Sequence, residues 1–343
     1  MSKKESTTSL RWPLDQTWVE TPPPSLIRRT VRKLLAISPR ETSFARRKFR
    51  CDSEEVRLRL EGVAGCFVRG YHLALETDPP DLDVRLAREE PESQGFAFEG
   101  AALGLTVLDV LTGWLTGRRG GRLHRFLQGA GDAHAYIVHV GAGWALARLP
   151  LSPASLLRRL DPLLGWLALD GYGFHEGFFH WPQSVERQEV PARLSGYERR
   201  AFDQGLGRSL WFVEGTGVAR IARRIAAFPA ERRPDLWSGV GLACGYAGGR
   251  DRSAVMELRL ASGEHAPELA QGAAFAAEAR ERAGIPVAHT ELASQALCGM
   301  SAERAAAITR EAGQDLPPDG EAPAFEVWRR RIQARFQKRG TRS

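Results

Sequence analysis

Lysine is almost missing from this chain, with 5 lysines against 43 arginines. The net charge of +7 therefore rests on arginine, a bias that GC-rich coding produces as readily as any ligand does. Its placement matters more than its size. From Glu326 to Ser343 there are seven Arg or Lys and one Glu, which leaves a body of 41 basic against 40 acidic residues. A near-neutral body argues against nucleic-acid binding, which draws on a basic face. Cysteine is also scarce: Cys51, Cys66, Cys244 and Cys298 are widely scattered, without C-x-x-C or any zinc or disulfide spacing. A reducing cytoplasm is the expected compartment.

Long apolar runs are missing too. The charged start "MSKKESTTSLRW" precedes no apolar segment, so no secretory leader is expected. The best membrane-span candidate, residues 95–115, carries Glu99 and Asp109, so a soluble chain is expected. There is no Walker loop, no G-x-S-x-G and no H-E-x-x-H, which removes P-loop hydrolases, nucleophile-elbow hydrolases and helical zinc peptidases. No cofactor and no metal site is expected.

Glycine, at 35 residues, is what the chain has in quantity. "DGYGFHEG" (170–177) aligns without gaps on "SGVGLACG" (238–245), and "EGAALG", from Glu99, is a looser relative. Upstream of each lies a second Gly-containing segment: "LEGVAGCFVRGY", "VHVGAGWALARL" and "FVEGTGVARIARRI". Units of about 70 residues, each with two apolar stretches too long for strands, predict helical hairpins. Glycine within a helix costs about 1 kcal/mol against alanine, so its recurrence needs a packing reason. Small-xxx-small spacing at Gly100/Gly104, Gly173/Gly177 and Gly241/Gly245/Gly249 supplies one, because a missing Cβ lets backbones approach. The fold expected is all-α, with the Gly-rich hairpins stacked into an α/α solenoid or toroid.

Around that body, residues 1–25 read as a flexible lead and 26–315 as a single all-α domain that opens with the basic helix "SLIRRTVRKLLAI". Residues 316–343 read as a linker and a basic amphipathic helix with Phe325, Trp328, Ile332 and Phe336 on one stripe. That helix has three candidate partners: the body, another protein, or an acidic membrane surface. "YIVHVGAGWA" and "LWFVEGTGVA" imitate a strand running into a dinucleotide loop. Pro150 follows Gly141 too soon, and no acid-terminated second strand comes after either copy.

The chemistry-bearing residues are acids and histidines set among apolar or Gly-rich stretches. They are Glu99, His139, Asp170, His175, Glu176, His180, Asp203, Glu214, His289 and Glu291. Glu99, Asp170 and Ser238 fall at equivalent repeat positions, which brings two carboxylates to comparable places as candidate general acid and base. In "GYGFHEGFFHW", Glu176 and His180 are one helical turn apart and can touch. His175 and His180 are five residues apart, roughly 140° around a continuous helix, so they are expected not to share an ion. Glu291 reads as a first-turn residue of a helix capped by Thr290. The aromatics Tyr71, Phe96, Phe98, Tyr136, Trp144, Trp166, Tyr172, Phe174, Phe178, Trp211 and Trp237 read as core, with some lining a pocket for an elongated apolar ligand.

With "LEGVAGCFVRGY", "AHAYIVHVGAGWALARL", "LALDGYGFHEGFF", "FDQGLGRSLWFVEG", "DLWSGVGLACGYAGG" and "HTELASQALCG" in view, the chain resembles, over residues 30–335, a bacterial family of unknown function, domain of unknown function 1702. Its members accompany enediyne polyketide synthases. The resemblance implies a role in maturing a linear polyene or polyyne into an enediyne core, and supplies no reaction or site residues. The candidate catalytic set is Glu99, Asp170, His175, Glu176 and His289, the carboxylates for proton transfer and the histidines for relay or orientation. The rival expectation is a non-enzymatic scaffold for the synthase that uses the basic terminal helices, through which peripheral membrane contact is also open.

Overall fold

The computed structural model describes residues 26–77, 81–116 and 121–340. Among them there are helices and no strand, so the chain is all-α. The expected lead at 1–25 lies outside the described residues. The principal helices are α1 (Leu26–Leu35), α2 (Glu54–Glu76), α3 (Pro91–Thr116), α4 (Ala135–Arg148), α5 (Leu167–Phe179), α6 (Tyr197–Val213), α7 (Arg233–Ala247), α8 (Ala266–Arg282), α9 (Ala302–Ala312) and α10 (Ala324–Gly340). Local chemistry sets several starts. Ser53 accepts from the Val56 N–H at the head of α2, and Ser301 from Arg304 at the head of α9.

From α2 to α9 each helix packs on the next in sequence, and α8 also touches α4. The series turns back far enough for Arg59 of α2 to donate to the Ala247 carbonyl at the end of α7, at 2.7 Å. Glycine is what brings neighbours this close. A Cβ on Gly173 would lie 1.9 Å from the Phe202 carbonyl oxygen, and one on Gly205 would lie 1.7 Å from that of Asp170. The same reciprocal pairing joins α2 to α3 through Gly70 and Gly100, α4 to α5 through Gly143 and Gly171, α6 to α7 through Gly207 and Gly239, and α7 to α8 through Gly241 and Gly272. Backbone meets backbone at each crossing, which no other residue permits.

One consequence sets up the site. The carbonyls that Gly141, Gly171, Gly205, Gly239 and Gly272 approach belong to Glu99, Val140, Asp170, Gln204 and Ser238. These residues therefore mark one level across successive helices, and their side chains are buried there.

Three expectations meet the structure here. The two dinucleotide-like segments hold no strand: 135–148 is helical and Glu214–Gly217 is a turn. Helix α3 is long and apolar enough to cross a membrane, but 83% of its most apolar stretch is buried inside the protein, against α2 and α4. The apolar stripe of α10 docks on the body: Phe325, Trp328, Ile332 and Phe336 are buried, and the Trp328 indole donates to the Thr309 carbonyl at 2.8 Å. Arg329 is fully buried with them, 2.7 Å from Asp235.

Candidate functional site

Two of the expected carboxylates meet at one guanidinium. Arg208 stands one turn after Gln204 on α6, and its Nη1 donates to Asp170 Oδ1. Its Nη2 lies 3.8 Å from Glu99 Oε1, an ion pair beyond hydrogen-bond reach. Gln204 Nε2 donates to the other Asp170 oxygen at 2.8 Å. Beyond it, Ser238 Oγ sits 3.2 Å from Gln204 Oε1 and 2.9 Å from Gln271 Oε1, with one hydroxyl proton to give. A polar chain thus crosses α3, α5, α6, α7 and α8 inside an apolar core.

Partners are unequal for the two acids. Asp170 takes the closest contact with Arg208 and a full amide hydrogen bond. Glu99 takes the Trp144 Nε1–H at 3.2 Å and the more distant face of the cation. Burial therefore dominates Glu99 and raises it to about 7; Arg208 and the Trp144 hydrogen bond oppose the rise, and the charge of Asp170 adds to it. For Arg208 burial works against the charged form, but Asp170 and Glu99 outweigh it and hold its pKa above the usual value. Glu99 is therefore a buried acid that exchanges a proton near neutrality, beside a fixed positive charge.

Glu99 and Arg208 line a largely apolar pocket whose other polar residues include Glu41 and Thr42. Its walls are aromatic: Phe67, Phe96, Trp144, Phe174, Phe178, Phe179, Phe212 and Tyr246, with Ala64 and Val68 of α2 along one side. The Arg208 guanidinium lies 4.9 Å from the Phe174 ring centre. On the far side of Arg208 and Tyr246 a second space of about 330 Å³ opens between Tyr136, Val140, Leu167 and Phe275. Those two side chains line both spaces and form the partition between them.

His175 and Glu176 make a second group. The angular separation expected between His175 and His180 does not hold, because of where α5 stops. The helix ends at Phe179, and His180 takes φ −125° and ψ 34°, off the helical path, so the 140° separation does not apply. His175 Nδ1 is 3.2 Å from Glu176 Oε1 and His180 Nδ1 is 3.0 Å from Oε2. Burial opposes the charge of Glu176, yet hydrogen bonds from both histidines hold it down to about 2. Burial lowers His175, while the hydrogen bond to Glu176 raises His180. The Trp144 ring, whose N–H serves Glu99, meets His175 edge-on at 5.4 Å between centres, so one indole spans both groups.

His289 is not brought to either group. Its Nε2 faces the Tyr246 carbonyl at 3.0 Å, and its Nδ1 faces Arg59 and Glu92, each at 3.2 Å. Burial pushes it down to about 4, so the neutral ring donates from Nε2 and accepts from Arg59, tying the end of α7 to α2. The remaining candidates are structural. Asp203 pairs with Arg232, Glu214 with Arg224, and His139 Nδ1 faces the Ala135 carbonyl at 2.7 Å. Glu291 accepts from the Ala302 N–H at 2.8 Å; Thr290 does not cap its helix but donates to the Gly245 carbonyl at 2.7 Å.

Sequence reasoning missed Arg208 and Gln204. In "FDQGLGRSL" the two stand one turn apart around glycines that face α5 and α7, but nothing local marks this arginine as one that turns inward.

No curated protein and no solved structure matches the chain. The family described as "Protein of unknown function (DUF1702)" matches residues 26–336, nearly the whole chain, and the chain belongs to that family.

Proposed function

We propose that the chain binds a linear, highly unsaturated polyketide chain of enediyne biosynthesis in the aromatic pocket and assists its maturation through proton transfer at Glu99. The observation that carries the reading is an aromatic-walled, largely apolar pocket that is also lined by one buried acid poised near neutrality and one buried cation. An apolar chain gains from leaving water along the aromatic walls, and a conjugated system gains further from ring faces. Arg208 faces the electron-rich or oxygen-bearing end of such a ligand. Glu99 gives or takes the proton there, and Asp170 with Gln204 fixes the guanidinium in place. In this reading the helical array is a curled layer whose concave side is the pocket. His175, Glu176 and His289 take no part in this step.

The scaffold reading stands second, because the apolar stripe of the basic α10 is already covered by α8 and α9. Incubating the purified chain with an extract of cells making a linear polyene, then re-isolating it for native mass spectrometry, tests the proposal. The expected result is a bound polyunsaturated chain on wild type and none on Ala64→Trp, which fills the pocket wall. An empty wild type, or equal loading of the variant, overturns the pocket assignment, and an empty chain carrying the synthase favours the scaffold.

A further inference from the structure

The turn that ends α5 brings together donors that the aromatic pocket does not use. His175, Glu176 and His180 each offer one donor atom, an imidazole nitrogen or a carboxylate oxygen, and the three atoms lie within 4.8 Å of one another. In a tetrahedral zinc site with bonds of about 2.1 Å, neighbouring donors stand roughly 3.4 Å apart. Small rotations of three side chains on one short stretch close the difference. Two imidazoles and one carboxylate are the donor set of three-ligand zinc centres, which keep a fourth position for water or substrate.

The surroundings suit an ion that is reached from one side. His175 is buried beneath Trp144 and Phe179, whereas His180 is half exposed. Glu176 and His180 line an open, polar cavity of about 810 Å³ together with Tyr172, Gln183 and Ser184. That cavity shares no lining residue with the aromatic pocket. The segment after His180 is a π-helical turn, Pro182–Glu186, a form that concentrates at functional sites. Ser184 Oγ holds it within 2.9 Å of the Glu176 carbonyl and 3.0 Å of that of His180. Two guanidiniums act on these histidines: Arg148 lies over Tyr71, and Arg47 pairs with Glu41 while also donating to the Phe179 carbonyl at 3.3 Å, next to His180.

We infer that His175, Glu176 and His180 form a divalent transition-metal site of the zinc type, with its open position facing the polar cavity and suited to an oxygen ligand such as water, a carbonyl or a carboxylate. This site abuts the proposed polyene pocket, since Trp144 and Phe179 line that pocket and pack on His175, but its metal binding is tested separately.

The test uses the full chain, stripped with chelator and titrated with Co²⁺, with Zn²⁺ as competitor. The expected result is one equivalent of Co²⁺ with visible d–d absorption that Zn²⁺ abolishes. His180→Gln and Glu176→Gln should weaken binding at least about tenfold, while His289→Gln leaves it unchanged. His180 is half exposed, so its variant folds, which far-UV circular dichroism checks. Wild type that binds Co²⁺ no better than His180→Gln, or His289→Gln that weakens binding equally, overturns the inference.

Discussion

Arg208 on α6 donates to Asp170 on α5, and both side chains are almost wholly shielded from water. A buried pair of this kind contributes little net stability, because desolvation offsets the attraction, but breaking it leaves a charge with no partner. Arg208→Met should therefore destabilise the fold by on the order of 3–5 kcal/mol. Arg208→Met with Asp170→Asn should recover part of that loss, because the second change removes the stranded carboxylate. Urea unfolding of both variants checks it, and a double variant less stable than Arg208→Met would contradict the pairing.

Glu99 gives a pH signature with a definite sign. The unfolded chain releases this proton near about pH 4.3, whereas the folded protein holds it until about 7. Between those values the native state binds more protons, so this group lowers stability as pH rises, by roughly 3 kcal/mol once pH exceeds 7. Glu99→Gln should melt higher than wild type at pH 8 and alike at pH 4. Thermal melts across that range measure it, and a pH-independent difference would deny the raised pKa.

Glycine's role in helix packing is separable from its cost in a helix. Gly173→Ala would put a methyl 1.9 Å from the Phe202 carbonyl, so α5 and α6 must part and several kcal/mol should be lost. Gly62, on exposed α2 surface, has nothing within 4 Å of where its Cβ would go. Gly62→Ala should stabilise by about 0.5–1 kcal/mol. Opposite shifts in denaturation midpoint are the expected outcome, and equal shifts would mean that propensity alone governs these positions.

Much of the fold was legible from local pattern. Apolar stretches too long for strands gave the helices, whereas of the glycines spaced by four only Gly100, Gly173 and Gly241 belong to the reciprocal crossings and Gly249 lies beyond the helix. Glu99 and Asp170 were readable as a pair, since both fall at equivalent positions of the aligned Gly-rich segments. Arg208 was not, because nothing local distinguishes an arginine that turns inward from the many that face water. His289 read as chemistry and proved to be a tie between α2 and α7, a contact across 230 residues of chain.

Taken alone, the sequence determined the all-helical class, since that follows from the length and period of its apolar stretches. Only the tertiary structure decided which acid kept the cation. That choice depends on how closely Arg208 reaches each acid, and it leaves Glu99, raised by burial, to hold its proton until near neutrality. Tertiary structure likewise decided that His175 and His180 converge, because the angle between them depends on where α5 ends and how His180 leaves it. Such outcomes are fixed by backbone exits and by partners far away in the chain, neither of which leaves a periodic mark in the sequence.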